Sequence, residues 1–184
     1  MAESVSKVYA DAVFELCCEE DKLDTVYEEL KELDAILYDK ESGAGELVEF
    51  LSTPVISDEE KIGVLKNIFE GRLDTLTLDF LCLLTEKGRF GFYDRIFEEL
   101  RTLYNDKMNI LEVTAVTSEP MSDRLAEKLK AKLEATTGRQ VILTRKLDKS
   151  LIGGIVVRYG HTQLDSSVKT KLDKLKAQIN SVIA

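Results

Sequence analysis

Apolar positions in residues 4–107 recur at the three- and four-residue spacing of amphipathic helices. The first stripe contains Val5, Tyr9 and Leu16, with acidic side chains at the positions between. The pattern predicts two helices within residues 4–40 and further helices over 46–51, 57–69, 74–86 and 93–107. This part of the chain is therefore expected to be entirely helical.

Capping and turn residues separate these helices. Ser57 and Glu60 match the S-x-x-E capping box, in which each side chain pairs with an otherwise unsatisfied backbone N–H at a helix start. Gly71 and Gly88 follow two of the predicted helices, where a glycine commonly ends a helix. We expect the chain to leave the helical conformation at both glycines.

The hydrophobic period changes after Met108. Residues 110–117 alternate in a β-branched run, which indicates a strand. Ser122 fits a helix cap and Gly138 a left-handed helix end. The pattern predicts strands over 110–117, 140–145 and 151–159, a helix over 122–136, and a last helix that begins at Asp165 or Ser166.

Composition changes where the period changes. The chain has 184 residues, of which 44% are apolar, and its net charge is −9. Residues 1–107 contain 26 Asp and Glu against 12 Lys and Arg, whereas residues 108–184 contain 8 against 13. We therefore predict a mixed fold, with an all-α helical bundle over residues 1–107 followed by a small α+β domain of order βαββα over residues 108–184.

This charge division limits the classes of partner. A strongly acidic surface repels polyanions, so residues 1–107 are not expected to bind nucleic acid. The charge of residues 108–184 does not exclude nucleic-acid binding. The lysines of this part are best interpreted as ordinary solvated helix faces. Binding of an acidic protein partner and binding of RNA are the alternatives. The predicted strands lack the aromatic side chains on which RNA-reading sheets stack bases.

Cysteine usage and the first residues predict a chain that stays in a reducing compartment. Cys17, Cys18 and Cys82 are odd in number and two are adjacent, which suits neither a disulfide framework nor a CxxC site. The amino-terminal residues lack the basic start and apolar centre of a signal peptide, so we expect no cleaved leader. No stretch approaches the roughly 18 to 20 apolar residues that span a bilayer.

Residues that could support catalysis do not converge in the sequence. His161, Asp165 and Ser166 lie close together, but no oxyanion site accompanies them, and they fit a turn and a helix cap better. The single histidine disfavours a histidine-rich metal site. Gly153 and Gly154 open a strand and do not form a phosphate-binding loop. We expect no catalytic, cofactor-binding or metal-binding residue.

The helix predicted over residues 74–86 is apolar around most of its circumference, and such a helix must be covered on all sides. It lies either at the centre of the bundle or beside a neighbouring helix with which it forms a groove for a partner's amphipathic helix. The first helix could supply the second wall, because Val8, Ala12 and Val13 widen its stripe beyond what one core contact requires. Both interpretations remain open at this point.

Five short motifs run in order along nearly the whole chain. They are Tyr-Ala-Asp-Ala-Val-Phe at 9–14, Pro-Val-Ile-Ser at 54–57 with Lys61, Gly-Arg at 88–89, Leu-Ile-Gly-Gly at 151–154 and Asp-Ser-Ser-Val at 165–168. In these the sequence resembles the delta-subunit family of F-type ATP synthases, which is the oligomycin-sensitivity-conferring protein family. It departs from the usual family pattern at Thr53, Lys87 and Ser166.

The resemblance implies a six-helix amino-terminal domain and a smaller carboxyl-terminal domain in a non-catalytic connector of the peripheral stalk. Such a stator subunit links the catalytic alpha/beta hexamer to the membrane-anchored stalk and resists rotor torque during proton-driven ATP synthesis. The resemblance further implies a location at the cytoplasmic face of a bacterial plasma membrane, with membrane contact only through the complex. The motif residues expected to be structural are Pro54, Arg89, Gly153, Gly154, Asp165 and Ser167.

The resemblance also implies two partners. The helical domain would bind the amino-terminal helices of alpha subunits, one of them in a groove between the first and fifth helices, and the carboxyl-terminal domain would contact the b subunits. The acidic domain suits a partner segment with Lys or Arg beside its apolar face, and the basic domain suits an acidic stalk end. The groove residues would be Val8, Tyr9, Ala12, Val13, Leu16, Leu76, Phe80, Leu83 and Leu84.

An alternative of a different class is an RNA-binding or regulatory adaptor. In that interpretation the basic residues 108–184 bind RNA and the helical domain docks a protein. Retention on RNA that depends on salt would favour it over the stator subunit.

Overall fold

The computed structural model describes residues 2–38, 45–160, 162–166, 168, 170 and 172, with side chains described from Val5 onward. It divides into two compact units, Met1–Tyr104 and Asn105–Ala184. The prediction of a mixed fold is confirmed, because helices precede a four-stranded sheet in the chain. No helix among the described residues is both long enough and apolar enough to cross a bilayer.

The first unit is built from helices, and α6 continues a few residues beyond it. Their bounds are α1 Ala2–Glu19, α2 Leu23–Leu37, α3 Gly45–Ser52, α4 Asp58–Phe69, α5 Thr75–Glu86 and α6 Tyr93–Lys107, with a 3₁₀ turn at Phe90–Phe92 before α6. The Ser57 hydroxyl accepts a hydrogen bond from the Glu60 N–H, so the predicted start of α4 is confirmed. Gly71 and Gly88 both have positive φ and follow α4 and α5.

The core of the first unit contains buried side chains from every helix. The largest that are fully buried include Tyr93, Phe90, Leu30, Leu51, Leu65 and Leu84. The Tyr93 hydroxyl donates to the Leu30 carbonyl at 2.7 Å, and burial raises the pKa of this phenol well above its usual value. A buried polar group is thus paired inside the apolar core.

The second unit is a sheet with one described helix packed on it. Its elements are β1 Ile110–Thr117, α7 Asp123–Thr137, β2 Gln140–Leu147, β3 Ile155–Tyr159 and β4 Thr162–Asp165. The strand order is β2-β1-β3-β4, with β1 parallel to β2 and the other pairs antiparallel. Val113, Val141 and Val157 form the buried centre, against which Leu129 and Leu133 of α7 pack.

The predicted elements of this unit need three corrections. The third strand begins at Ile155 and not at residue 151, because Gly154 has a φ of 90°, outside the strand region. The second strand continues to Leu147, paired with Thr117 of β1. The segment after Gly160, interpreted as a turn and a helix cap, contains a fourth strand that pairs with β3.

The predicted end of α7 is confirmed, since Gly138 has a φ of 67° and its N–H bonds to the Glu134 carbonyl. Ser122 stands at the start of α7 but makes no side-chain capping bond. The helix predicted after Ser166 lies for most of its length outside the described residues.

Candidate helix-binding groove

A depression of about 440 Å³ lies on the first unit between α1 and α5. Both helices line it at spacings of three and four residues, so each presents one continuous face. The lining residues are Tyr9, Ala12, Val13, Leu16, Glu20, Lys22, Thr75, Leu76, Asp79, Phe80 and Leu83.

The depression has a buried apolar floor and an exposed apolar rim. Val13, Leu76 and Phe80 belong to the core and are at most 7% exposed. Leu16 and Leu83, on opposite walls, are 44% and 41% exposed. The floor side chains therefore belong to the core, while the rim leaves large aliphatic groups in water.

Most of the residues that were predicted to form a groove line this depression, and two of them lie elsewhere. Seven of the nine line the depression: Tyr9, Ala12, Val13, Leu16, Leu76, Phe80 and Leu83. Leu84 is fully buried in the core with Leu81, because each residue advances about 100° around a helix and Leu84 therefore faces away from Leu83. Val8 is 63% exposed and lies outside the lining.

The two sequence-based interpretations of α5 thus describe different faces of one helix. Thr77, Leu81 and Leu84 recur at core spacing and are completely buried. Leu76, Phe80 and Leu83 recur at the same spacing on the groove side.

Sequence reasoning missed the polar lining, which consists of Glu20, Lys22, Thr75 and Asp79. Asp79 could have been found from its spacing, since it lies three residues after Leu76 and four before Leu83 on the same helical face. Lys22 lies between α1 and α2 and follows no helical stripe, so no periodic signal marked it.

Hydrogen bonds fix the start of α5 beside the end of α1. The Asp74 carboxylate accepts from the Leu76 N–H at 2.9 Å and from the Lys22 ammonium at 3.1 Å. These two donors lower the pKa of Asp74, and the bond to Asp74 raises the pKa of Lys22. The Glu29 carboxylate of α2 accepts from the Asp74 N–H and the buried Thr77 hydroxyl. The relative position of the two groove walls is therefore held by direct contacts.

Two family-motif residues of the first unit lie outside the groove. Pro54 is exposed between α3 and α4. Arg89 is exposed after α5, and its N–H donates to the Leu84 carbonyl at 2.7 Å, which satisfies a helix-end acceptor. Both positions shape chain turns in the described structure.

The motif residues of the second unit surround the start of β3 and the end of β4. The Gly153 carbonyl accepts from the Val168 N–H at 3.0 Å, and Gly154 has positive φ. Asp165 ends β4 and accepts from the Thr170 hydroxyl at 2.8 Å. Ser167 lies outside the described residues.

The structure describes some of the groups that were considered for chemistry. Burial raises the pKa of the Cys17 thiol to about 11, which keeps it protonated, and burial also raises the pKa of Cys82. The described residues contain no group of three or more His, Cys, Asp or Glu side chains that could hold a metal ion. His161 lies outside the described residues.

The second unit has a depression of its own beside α7. It has a volume of about 450 Å³, and its lining combines Leu125, Leu129 and Ile155 with Lys128 and Lys132. Leu125 is 52% exposed. This surface has the opposite charge to the groove of the first unit.

Comparisons with known proteins agree on one family. Residues 5–179 match the model of the family described as ATP synthase delta (OSCP) subunit. The chain is 33% identical to the ATP synthase subunit delta of Alkaliphilus oremlandii, covering 100% of this chain and 99% of that one. It is 30% identical to the same subunit of Clostridioides difficile, with both chains covered completely. A chain in a cryo-EM structure of the Toxoplasma gondii mitochondrial ATP synthase hexamer matches with a TM-score of 0.71 and 27% identity, covering 95% of this chain and 96% of that one.

Proposed function

The chain belongs to the ATP synthase delta (OSCP) subunit family, and on that premise we propose that it is a non-catalytic stator subunit of the peripheral stalk. It connects the catalytic alpha/beta hexamer to the membrane-anchored part of the stalk. A turning central rotor exerts torque on the hexamer, and an off-axis tie is needed to stop the hexamer from turning with it. In this proposal the helical first unit contacts the hexamer and the second unit, with its four-stranded sheet, contacts the stalk.

The open apolar groove between α1 and α5 is the observation that carries this proposal. Its floor is buried, its rim leaves Leu16 and Leu83 in water, and its two apolar stripes suit an amphipathic helix. We assign it to the amino-terminal helix of an alpha subunit. The groove residues of the proposal are those that line the depression, without Val8 and Leu84.

The expected affinity of this single contact is moderate. Complete burial of a large aliphatic side chain is worth roughly 1.5 to 3 kcal/mol, and the rim leucines are already partly covered. Association itself costs about 4 to 15 kcal/mol. A stator therefore needs several contacts that are linked in one assembly, since linked contacts raise the effective concentration of each other.

We assign the second unit to the b subunits of the stalk. Its depression beside α7 combines apolar side chains with Lys128 and Lys132, which suits an acidic amphipathic segment. Membrane association is then indirect, at the cytoplasmic face of a bacterial plasma membrane, and no reaction takes place on this subunit. The comparisons give no support to the RNA-binding alternative.

Titration with a synthetic peptide of the alpha-subunit amino terminus from the same ATP synthase tests the groove. Ala12→Asp places a charge without a partner on the exposed rim, and we expect affinity to fall at least about tenfold. Val8→Asp is the matched control, because it adds the same charge to the same helix outside the groove, and it should change affinity by less than about twofold. Equal effects of the two variants, or no binding of the peptide to the wild-type chain, would contradict the assignment.

A further inference from the structure

A carboxylate interrupts the apolar stripe that α5 presents to the groove. Asp79 lies between Leu76 and Leu83 on the same face and lines the same depression. An aliphatic residue at this position would complete the stripe. The acid therefore affects what the groove can bind.

The lysine of the groove is already matched by other acids. The Lys22 ammonium lies 3.1 Å from the Asp74 carboxylate and 3.6 Å from that of Glu20. Asp79 makes no ion pair with any residue that the structure describes. Glu20, Lys22 and Asp79 together give the lining a net negative charge.

Covering the groove would remove water from Asp79. A carboxylate that loses water without gaining a partner opposes binding, whereas a cation placed beside it offsets that loss. We propose, building on the proposed function, that the docking helix carries a lysine or arginine beside its apolar stripe and that this cation pairs with Asp79. Asp79 is then a specificity determinant, which discriminates against helices of equal hydrophobicity without a cation at that point.

The test is a double-mutant cycle between the full-length chain and the alpha-subunit amino-terminal peptide. Asp79→Asn is combined with peptides in which each Lys or Arg is replaced by Gln in turn. We expect Asp79→Asn to weaken binding of the wild-type peptide by about three- to tenfold and to reduce the salt dependence of that affinity. One of the peptide substitutions should produce the same loss in the wild-type chain and no further loss in the Asp79→Asn chain.

The matched control is Glu32→Gln, which removes the same charge from an exposed position of α2 outside the groove lining. It should leave affinity within about twofold of wild type. Peptide binding that Asp79→Asn leaves unchanged, or a bound peptide with no coupled cation, would overturn this inference and leave the proposed function standing. No binding to the wild-type chain at any salt concentration would overturn the proposed function itself.

Discussion

The two units of this chain leave apolar surface exposed in different ways. In the first unit a continuous core contains buried aromatic and leucine side chains, and the exposed leucines of the groove lie directly above that core. In the second unit Val113, Val141 and Val157 form one buried cluster, Ala115, Val116 and Val156 are also buried, and α7 has no buried residue. The first unit therefore has an apolar groove directly over its core, whereas in the second unit the described helix α7 stays partly exposed on the sheet.

The first prediction tests whether the two faces of α5 have different roles. Leu84→Ala removes a fully buried side chain and should lower the free energy of unfolding of the first unit by about 2 to 5 kcal/mol. Leu83→Ala, one position away on the groove rim, should cost less than about 1 kcal/mol and should weaken peptide binding instead. Denaturant titration followed by far-UV circular dichroism measures both variants. Similar losses of stability would mean that the two faces of α5 are not distinct.

Helix α5 shows what the sequence can and cannot predict about this fold. Its apolar residues cover most of the helix, and the pattern cannot by itself distinguish the core face of Leu84 from the groove face of Leu83. That distinction depends on which neighbouring helix covers each side, which is a tertiary property. The helix starts were predictable because capping is local, as with Ser57 and Glu60.

The strand β4 shows the opposite case. Thr162–Asp165 has four residues and little apolar content, so neither its composition nor its period marks it as a strand. It forms because the edge of β3 offers unpaired backbone groups to the chain that returns after Gly160. Lys22 of the groove lining was missed for a related reason, since it reaches Asp74 across a long sequence separation.

The second prediction tests the backbone conformation at the glycine pair before β3 in the second unit. Gly154 has a φ of 90°, where a side chain is strained, so Gly154→Ala should lower the free energy of unfolding of this unit by about 1 to 2 kcal/mol. Gly153→Ala is the neighbouring control, because an added Cβ there meets Val168 at 3.4 Å, an ordinary contact, and φ is not positive. It should change stability by less than about 0.5 kcal/mol. Urea titration of both full-length variants measures these free energies of unfolding. A larger loss of stability for Gly153→Ala than for Gly154→Ala would show that the backbone requirement is assigned to the wrong glycine.

The third prediction concerns the pH dependence of a polar contact at the surface of the first unit. The Tyr104 hydroxyl donates to the Asp24 carboxylate at 2.9 Å, and its ring stacks on Tyr27 with centroids 3.7 Å apart. Burial and the bond to Asp24 raise the pKa of Tyr104 to about 12. A phenol whose pKa is raised on folding stabilises the folded state below its unfolded pKa near 10, and this contribution is lost as pH rises through about 12.

Tyr104→Phe keeps the stacking surface and removes the hydroxyl. We expect it to cost about 1 kcal/mol or less at neutral pH, since the hydroxyl is only partly covered and solvent screens the contact. The difference in free energy of unfolding between wild type and variant should be constant up to about pH 10 and shrink toward pH 12, because in this interval the phenol of the unfolded wild type ionises while that of the folded wild type stays protonated. Comparing the two chains at each pH cancels the common contribution of Tyr93, whose pKa is also raised by burial. A difference that stayed constant across this interval would mean that the hydroxyl of Tyr104 does not stabilise the fold through Asp24.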